Sequence, residues 1–216
     1  MVICSATKQK YPKDTLLYQS FNDMSLDGEF DVNFATENTH GLPKVYNVFL
    51  DQALKDGRDC VILVHDDVYL EHNPIPKLEK LFKEYDLVGV AGCSRAEIKS
   101  PALWHIMGQR HLHGAVAHSH GNSKVMTSFG VYPQRVVMID GVFMAFNRKA
   151  IEQLRFDENC PSGFHFYDLN VCQKALELGL KIGVGGIMIT HASPGLTEFT
   201  EDWRKGEEYY LGLYSR

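Results

Sequence analysis

The sequence predicts an α/β fold in one domain over residues 1–216, built on a mostly parallel central sheet flanked by helices. Three observations predict it. Strand-like runs and amphipathic helical runs alternate through the first half, the pattern of βαβ units. Val61, Ile62, Leu63 and Val64 are apolar at consecutive positions, as in a strand buried on both faces. The 216 residues, 44% hydrophobic and 23% charged, suffice for one substantial core.

In chain order, strands are expected over 2–5, 31–35, 60–64, 87–93, 136–146 and 181–190. Between the second and third, LPKVYNVFLDQALKDG places Leu42, Val45, Tyr46, Phe49 and Ala53 at helical spacing, with Gly57 as a stop. PKLEKLFKEY is a second amphipathic helix leading into the strand LVGVAGC. Residues 94–134 show little sustained periodicity, and a segment that long in a compact domain covers a site or is disordered; Trp104 and Phe129 favour an ordered active-site flap. The run to 146 is interrupted by Asp140 and Gly141. FHFYDLNVCQKALELG then reads as a helix stopped by Gly179. The tail around Trp203 is expected to be helical, interrupted or bent near Gly206.

Composition excludes several classes. The net charge of −5 offers no basic footprint for nucleic acid. No apolar run approaches the ~18 residues of a membrane span. The opening MVICSATKQK is strand-like, unlike a secretory signal, so the cytoplasm is the expected compartment. Cys4, Cys60, Cys93, Cys160 and Cys172 have no CxxC spacing and read as reduced core residues. GVGG at 183–186 does not complete a dinucleotide-binding glycine motif, and no GxxxxGK[ST] phosphate loop occurs.

Chemistry concentrates at strand ends. His65, Asp66 and Asp67 follow the buried run at the carboxyl end of a strand, where ligands gather in such sheets. Acids there could form a turn or helix cap, but two acids with a histidine point toward a metal or ligand site. His191 follows the last strand, where a histidine satisfied by backbone carbonyls is ordinary. Five of the ten histidines fall between His105 and His120. They could bind zinc or form a polar loop over an anionic ligand; no HExxH helix pattern supports zinc.

Taken in order, NTHGLPKVYN, VILVHDDV, DGVFMAFNRKAI with RFDEN, FYDLNVCQKALELG and ITH resemble the family 2-like glycosyltransferases of the GT-A fold. They look closest to the branch similar to the streptomycin-biosynthesis StrF domain, and the resemblance runs over residues 30–192. It implies a Rossmann-like GT-A domain with a donor-binding half over about 1–93, a flap over about 94–134 and an acceptor and catalytic half over about 135–216. The family's N-x-x-G-x-x-x-A-R-N run falls on Asn38, Gly41, Val45, Tyr46 and Asn47, with Tyr46 in place of the arginine. Asn38, Gly41 and Asn47 are thereby donor-site candidates. The D-x-D signature falls on His65, Asp66 and Asp67: it implies Asp67 as a metal ligand, His65 in place of the first Asp, and Asp66 as a possible substitute contact to the donor. By the same resemblance His191 is a second metal ligand or a diphosphate contact, and Asp140 and Gly141 lie near the acceptor or sugar.

The family's E-D-x-D-L helix falls on Tyr167, Asp168 and Asn170, which leaves Asp168 as its only carboxylate and implies the general base of an inverting transfer. The alternative for Asp168 is a helix cap. The implied activity is Mn²⁺- or Mg²⁺-dependent transfer of a sugar from a nucleoside diphosphate sugar, UDP-linked by family frequency, to a glycan or other hydroxyl. The processive enzymes' QxxRW is absent, so one sugar is expected per event. Two rivals remain. A sugar-phosphate nucleotidyltransferase would need a glycine-rich loop where TKQKYPKD stands, and a non-catalytic carbohydrate- or nucleotide-binding protein could use a degenerate transferase fold.

Overall fold

A computed structural model describes residues 1–24, 31–120, 123–193, 195 and 198–215. Gly121 and Asn122 of the expected flap, and the His120 side chain, lie outside the description. The strands are β1 Val2–Ala6, β2 Asp31–Ala35, β3 Cys60–Val64, β4 Val68–Leu70, β5 Leu87–Gly89, β6 Ala91–Cys93 and β7 Leu112–His120. They continue with β8 Ser123–Gly130, β9 Gln134–Val136, β10 Met138–Ile139, β11 Phe143–Asn147, β12 Ile182–Val184 and β13 Ile189–His191. The helices are α1 Leu16–Asp23, α2 Leu42–Lys55, α3 Ile75–Leu81, α4 Arg148–Gln153, α5 Tyr167–Glu177 and α6 Glu201–Tyr214.

The larger sheet runs β2-β1-β3-β11-β5-β12-β9. β2, β1 and β3 are mutually parallel and β12 is parallel to β5, while β11 and β9 run against their neighbours. The sheet is therefore mixed: three of its six pairings are parallel and three antiparallel, with five of its seven strands pointing the same way. All five residues of β3 are buried, as a central strand covered on both faces requires. α2 begins with Pro43 in its first turn, buries Leu42, Val45, Tyr46 and Leu50, and ends at Gly57, whose φ of 67° is left-handed.

Several long apolar runs divide between two sheets. A smaller sheet, β10-β6-β7-β13-β4 with β8 on β7, receives the chain after β3, β5, β9 and β12. The 87–93 run splits into β5 and β6, the 181–190 run into β12 and β13, and the 136–146 run into β9, β10 and β11. Glycines permit the close passage: a Cβ on Gly89 would lie 2.7 Å from the Ile139 Cβ. The segment after 93 is more regular than its sequence suggests. Two single 3-10 turns, Trp104–Ile106 and Gln109–His111, lead into the β7–β8 hairpin, where an unbroken buried stretch over 112–117 hid the two-residue period of a half-exposed strand.

α6 is continuous through Gly206, contrary to the expected break. The glycine serves packing, since a Cβ there would come within 2.6 Å of Phe166 and 2.9 Å of Ser162. That contact matters to the site. Phe166 precedes α5 with a left-handed φ of 65°, unusual for a bulky residue, and its ring is held against Trp203 and Tyr210 of α6 at centroid distances of 5.2 and 5.9 Å. The turn it makes delivers Tyr167 and Asp168 to the cavity described next.

Candidate active site

The joints between the two sheets carry the chemistry. His65, Asp66 and Asp67 connect β3 to β4, Asp140 to Val142 connect β10 to β11, and His191 closes β13. Backbone hydrogen bonds tie these joints together: His65 N–H donates to Val142 O at 3.1 Å, and Ala192 N–H donates to Asp67 O at 2.9 Å. They border a cavity of about 730 Å³ that His65, Asp67, Asp140, Gly141, Asp168 and His191 line.

At one end, His191 Nε2 lies 3.3 Å and His65 Nδ1 lies 4.0 Å from Asp67 Oδ1. One ligand atom from each of the three residues falls within 4.8 Å of the others, the one such cluster among the described residues. Asp67 Oδ1 is buried and has no hydrogen-bond donor aligned on it, with the His191 and His65 ring nitrogens as its recorded neighbours. Separations of 3.3 and 4.0 Å suit two bonds of about 2.0–2.1 Å to one ion. The three residues therefore fit a divalent cation. Burial works against the Asp67 carboxylate, but contact with His191 and the charges of His191 and His65 outweigh it and hold the carboxyl below its ordinary range. Burial pushes the His65 imidazole down, against the pull of Asp67, which favours the neutral ring a metal ligand needs.

Elsewhere along the cavity, Asp168 is the second residue of α5 and does not cap it; Phe166 occupies the cap position without a side-chain hydrogen bond. Asp168 Oδ1 accepts the Leu169 N–H at 2.9 Å and Oδ2 accepts the Gly141 N–H at 3.0 Å. Burial, and next the neighbouring charge of Asp140, push its carboxyl up to about 7. Asp140 is itself held, Oδ1 by the Val142 N–H at 2.9 Å and Oδ2 by the Trp104 indole N–H at 3.2 Å. A half-buried carboxyl poised near neutrality beside a second aspartate is the arrangement expected of a general base or acid.

The other candidates from sequence do not line this cavity. Asn47 is buried and its amide is engaged elsewhere. Its Nδ2 donates to Phe156 O at 3.0 Å and to Glu158 Oε1 at 2.7 Å, while its Oδ1 accepts the Phe156 N–H at 2.8 Å. Gly41 passes Gly163 so closely that a Cβ would lie 2.9 Å from the Gly163 Cα. Asn38 folds its side chain onto His40 in a local turn, and its N–H donates to Thr7 O at 2.9 Å, beyond the carboxyl ends of β1 and β2. Asp66 is half-buried, and its carbonyl accepts the Leu17 N–H at 3.1 Å.

Of the clustered histidines, His105 and His118 reach the cavity; His105 meets Trp104 edge-on at 5.6 Å and His118 lies 6.0 Å from His191 between ring centroids. His113 turns away to Ser94 and Val131. Sequence reasoning assigned no role at the site to Tyr167, Trp104 or Phe164, all of which line it. Tyr167 could have been singled out by its place in the acidic motif; Phe164 carried no signal.

A profile for a family described as glycosyltransferase-like matches residues 2–207. The streptomycin biosynthesis protein StrF of Streptomyces griseus is 26% identical over 178 residues, which cover 81% of this chain and 61% of that protein. The chain thus spans less than two thirds of the curated relative it matches. Among solved structures, GalNAc-T7 with UDP, GalNAc and Mn²⁺ superposes with a TM-score of 0.56 at 11% identity, over 99% of this chain and 48% of that one. A crystal structure of a protein from STIV gives 0.51 at 12% identity, over 86% of this chain and 81% of the other. These two likenesses concern the fold alone. Among the described residues no helix is long and apolar enough to cross a membrane.

Proposed function

The chain belongs to the glycosyltransferase-like family, and from that premise we propose that its cavity transfers one sugar from a nucleoside diphosphate sugar, with UDP favoured, to an acceptor hydroxyl with inversion. One observation carries the proposal: a cluster fit for a divalent cation and a carboxyl poised near pH 7 line the same cavity. His65, Asp67 and His191 would hold the cation. When bound, it supplies positive charge that stabilises the diphosphate as the anomeric bond breaks. The donor set of two imidazoles and one carboxylate favours Mn²⁺ over Mg²⁺, which prefers oxygen and near-ideal octahedral geometry. GalNAc-T7, whose fold the chain shares, is described with UDP, GalNAc and Mn²⁺, and the same classes of ligand are proposed here.

Asp168 then serves as base. An acceptor hydroxyl is a poor nucleophile, and a carboxylate within hydrogen-bond reach can take its proton as the new bond forms. The Gly141 and Leu169 N–H groups fix that carboxylate in place. Burial, and next Asp140 steadied by Trp104, keep the Asp168 proton affinity high enough to accept a proton near neutrality. A base on the face of the sugar away from the departing diphosphate gives inversion in one displacement. Candidate donor contacts are Asn38, Gly41 and Asp66, with Asp140 and Gly141 toward the sugar or acceptor, while the Asn47 amide is committed to Phe156 and Glu158.

The test is to incubate the chain with Mn²⁺, a panel of nucleotide sugars and a glycan array, and to read products by mass and anomeric configuration. The proposal expects a single-sugar product whose configuration is opposite to the donor's. Glycan binding without product from any donor would instead favour the non-catalytic reading.

A further inference from the structure

We propose that Tyr167 is a positioning residue that locks the His65 ring so that Nδ1 faces the cation, an inference that rests on the metal-assisted function above. The Tyr167 hydroxyl lies 2.7 Å from His65 Nε2. An imidazole has two ring nitrogens, and a hydrogen bond at one leaves the other for a metal. The free one here is Nδ1, which lies 4.0 Å from Asp67 Oδ1, on the side of the cluster. With its Nδ1 lone pair given to a cation, His65 carries its proton on Nε2 and donates it to Tyr167 Oη.

Tyr167 can hold a ring because it is itself held. It is 3% exposed, and its ring sits edge-on to Tyr46 at 5.7 Å and tilted against Phe156 at 6.0 Å. The hydroxyl occupies the space beside Gly141 where any Cβ would overlap it. Consecutive residues of α5 thus serve the two parts of the cavity, Tyr167 the cluster and Asp168 the base. Where the resembling family carries a glutamate, this chain places a neutral acceptor against the histidine that replaces the first acid of D-x-D.

Tyr167→Phe keeps the ring and removes only the oxygen, leaving a buried Nε2–H unpaired and the imidazole free to turn. Loss of such a supporting contact typically weakens metal binding by about 10–100-fold. Mn²⁺ titration of the whole chain, read calorimetrically and by electron paramagnetic resonance, is the measurement. Tyr167→Phe should lose affinity in that range with a melting temperature near the parent's, and should cause no further loss in a His65→Ala background. Parent-like Mn²⁺ affinity in Tyr167→Phe, with affinity lost in His65→Ala and Asp67→Asn, would overturn the role of Tyr167 alone. If neither His65→Ala nor Asp67→Asn changes Mn²⁺ binding, the metal reading fails and this inference with it. Should Tyr167→Phe not fold, ¹⁵N spectra of His65 in the parent decide, with Zn²⁺ as a diamagnetic probe: coordination at Nδ1 supports the proposal and coordination at Nε2 overturns it.

Discussion

The Gly141 backbone N–H donates to Asp168 Oδ2 across 3.0 Å, joining the β10–β11 joint to the first turn of α5. This bond holds the side chain by main chain: in Asp168→Asn the amide oxygen can still accept the Gly141 N–H, at the cost of the Leu169 N–H contact made by the second carboxylate oxygen. Asp168→Asn is expected to retain donor affinity while turnover falls by ~10²–10⁴-fold, the usual contribution of a general base. Steady-state kinetics with parallel donor titration checks it. Near-parent turnover would remove Asp168 from the role.

The elevated Asp168 carboxyl, at about 7, makes two pH profiles move in opposite directions. Only the ionised form accepts a proton, so turnover should rise through neutrality and level off above it. Stability behaves otherwise. The folded value lies above the ordinary 3.8, so protonated Asp168 favours the fold, and that contribution is complete below about 3.8 and lost as pH rises through about 7. Asp168→Asn, which cannot ionise, should therefore gain melting temperature relative to the parent between about pH 5 and about pH 8. A constant difference across that range would contradict the assigned environment.

Asn47 separates a structural role from a donor-binding one. Its amide satisfies both the N–H and the C=O of Phe156 and also reaches Glu158. Asn47→Ala leaves those backbone groups unpaired in a buried setting, at a cost of about 2–4 kcal/mol of stability. Urea denaturation should show that loss, while nucleotide affinity of the folded variant stays at the parent's level. Weaker nucleotide binding at unchanged stability would return Asn47 to the donor site.

The alternating order of β3, α2 and the other early elements was legible because buried strands and amphipathic helices leave distinct periods in sequence. Asp67, His65, His191, Asp140 and Asp168 were legible because they stand at strand ends or in a recognisable motif, and all five line one cavity. What escaped was long-range. Nothing local shows that 87–93 or 181–190 splits between two sheets, because an apolar run has the same composition whether it continues or changes partner. The Gly206 kink failed to occur because its cause is tertiary: the glycine makes room for Phe166. The partner of Tyr167 lies 102 positions away, at a separation that periodicity cannot reach.

Calorimetric titration of UDP into the chain, with and without Mn²⁺ and in parallel with Asp67→Asn, tests the central claim most directly. His65, Asp67 and His191 gather around a buried carboxylate oxygen that has no hydrogen-bond donor aligned on it. UDP should bind the parent in the presence of Mn²⁺, weaken sharply when the ion is omitted, and weaken likewise in folded Asp67→Asn. UDP affinity that is the same with and without Mn²⁺, or unchanged in Asp67→Asn, would contradict a cation-assisted donor site at these residues.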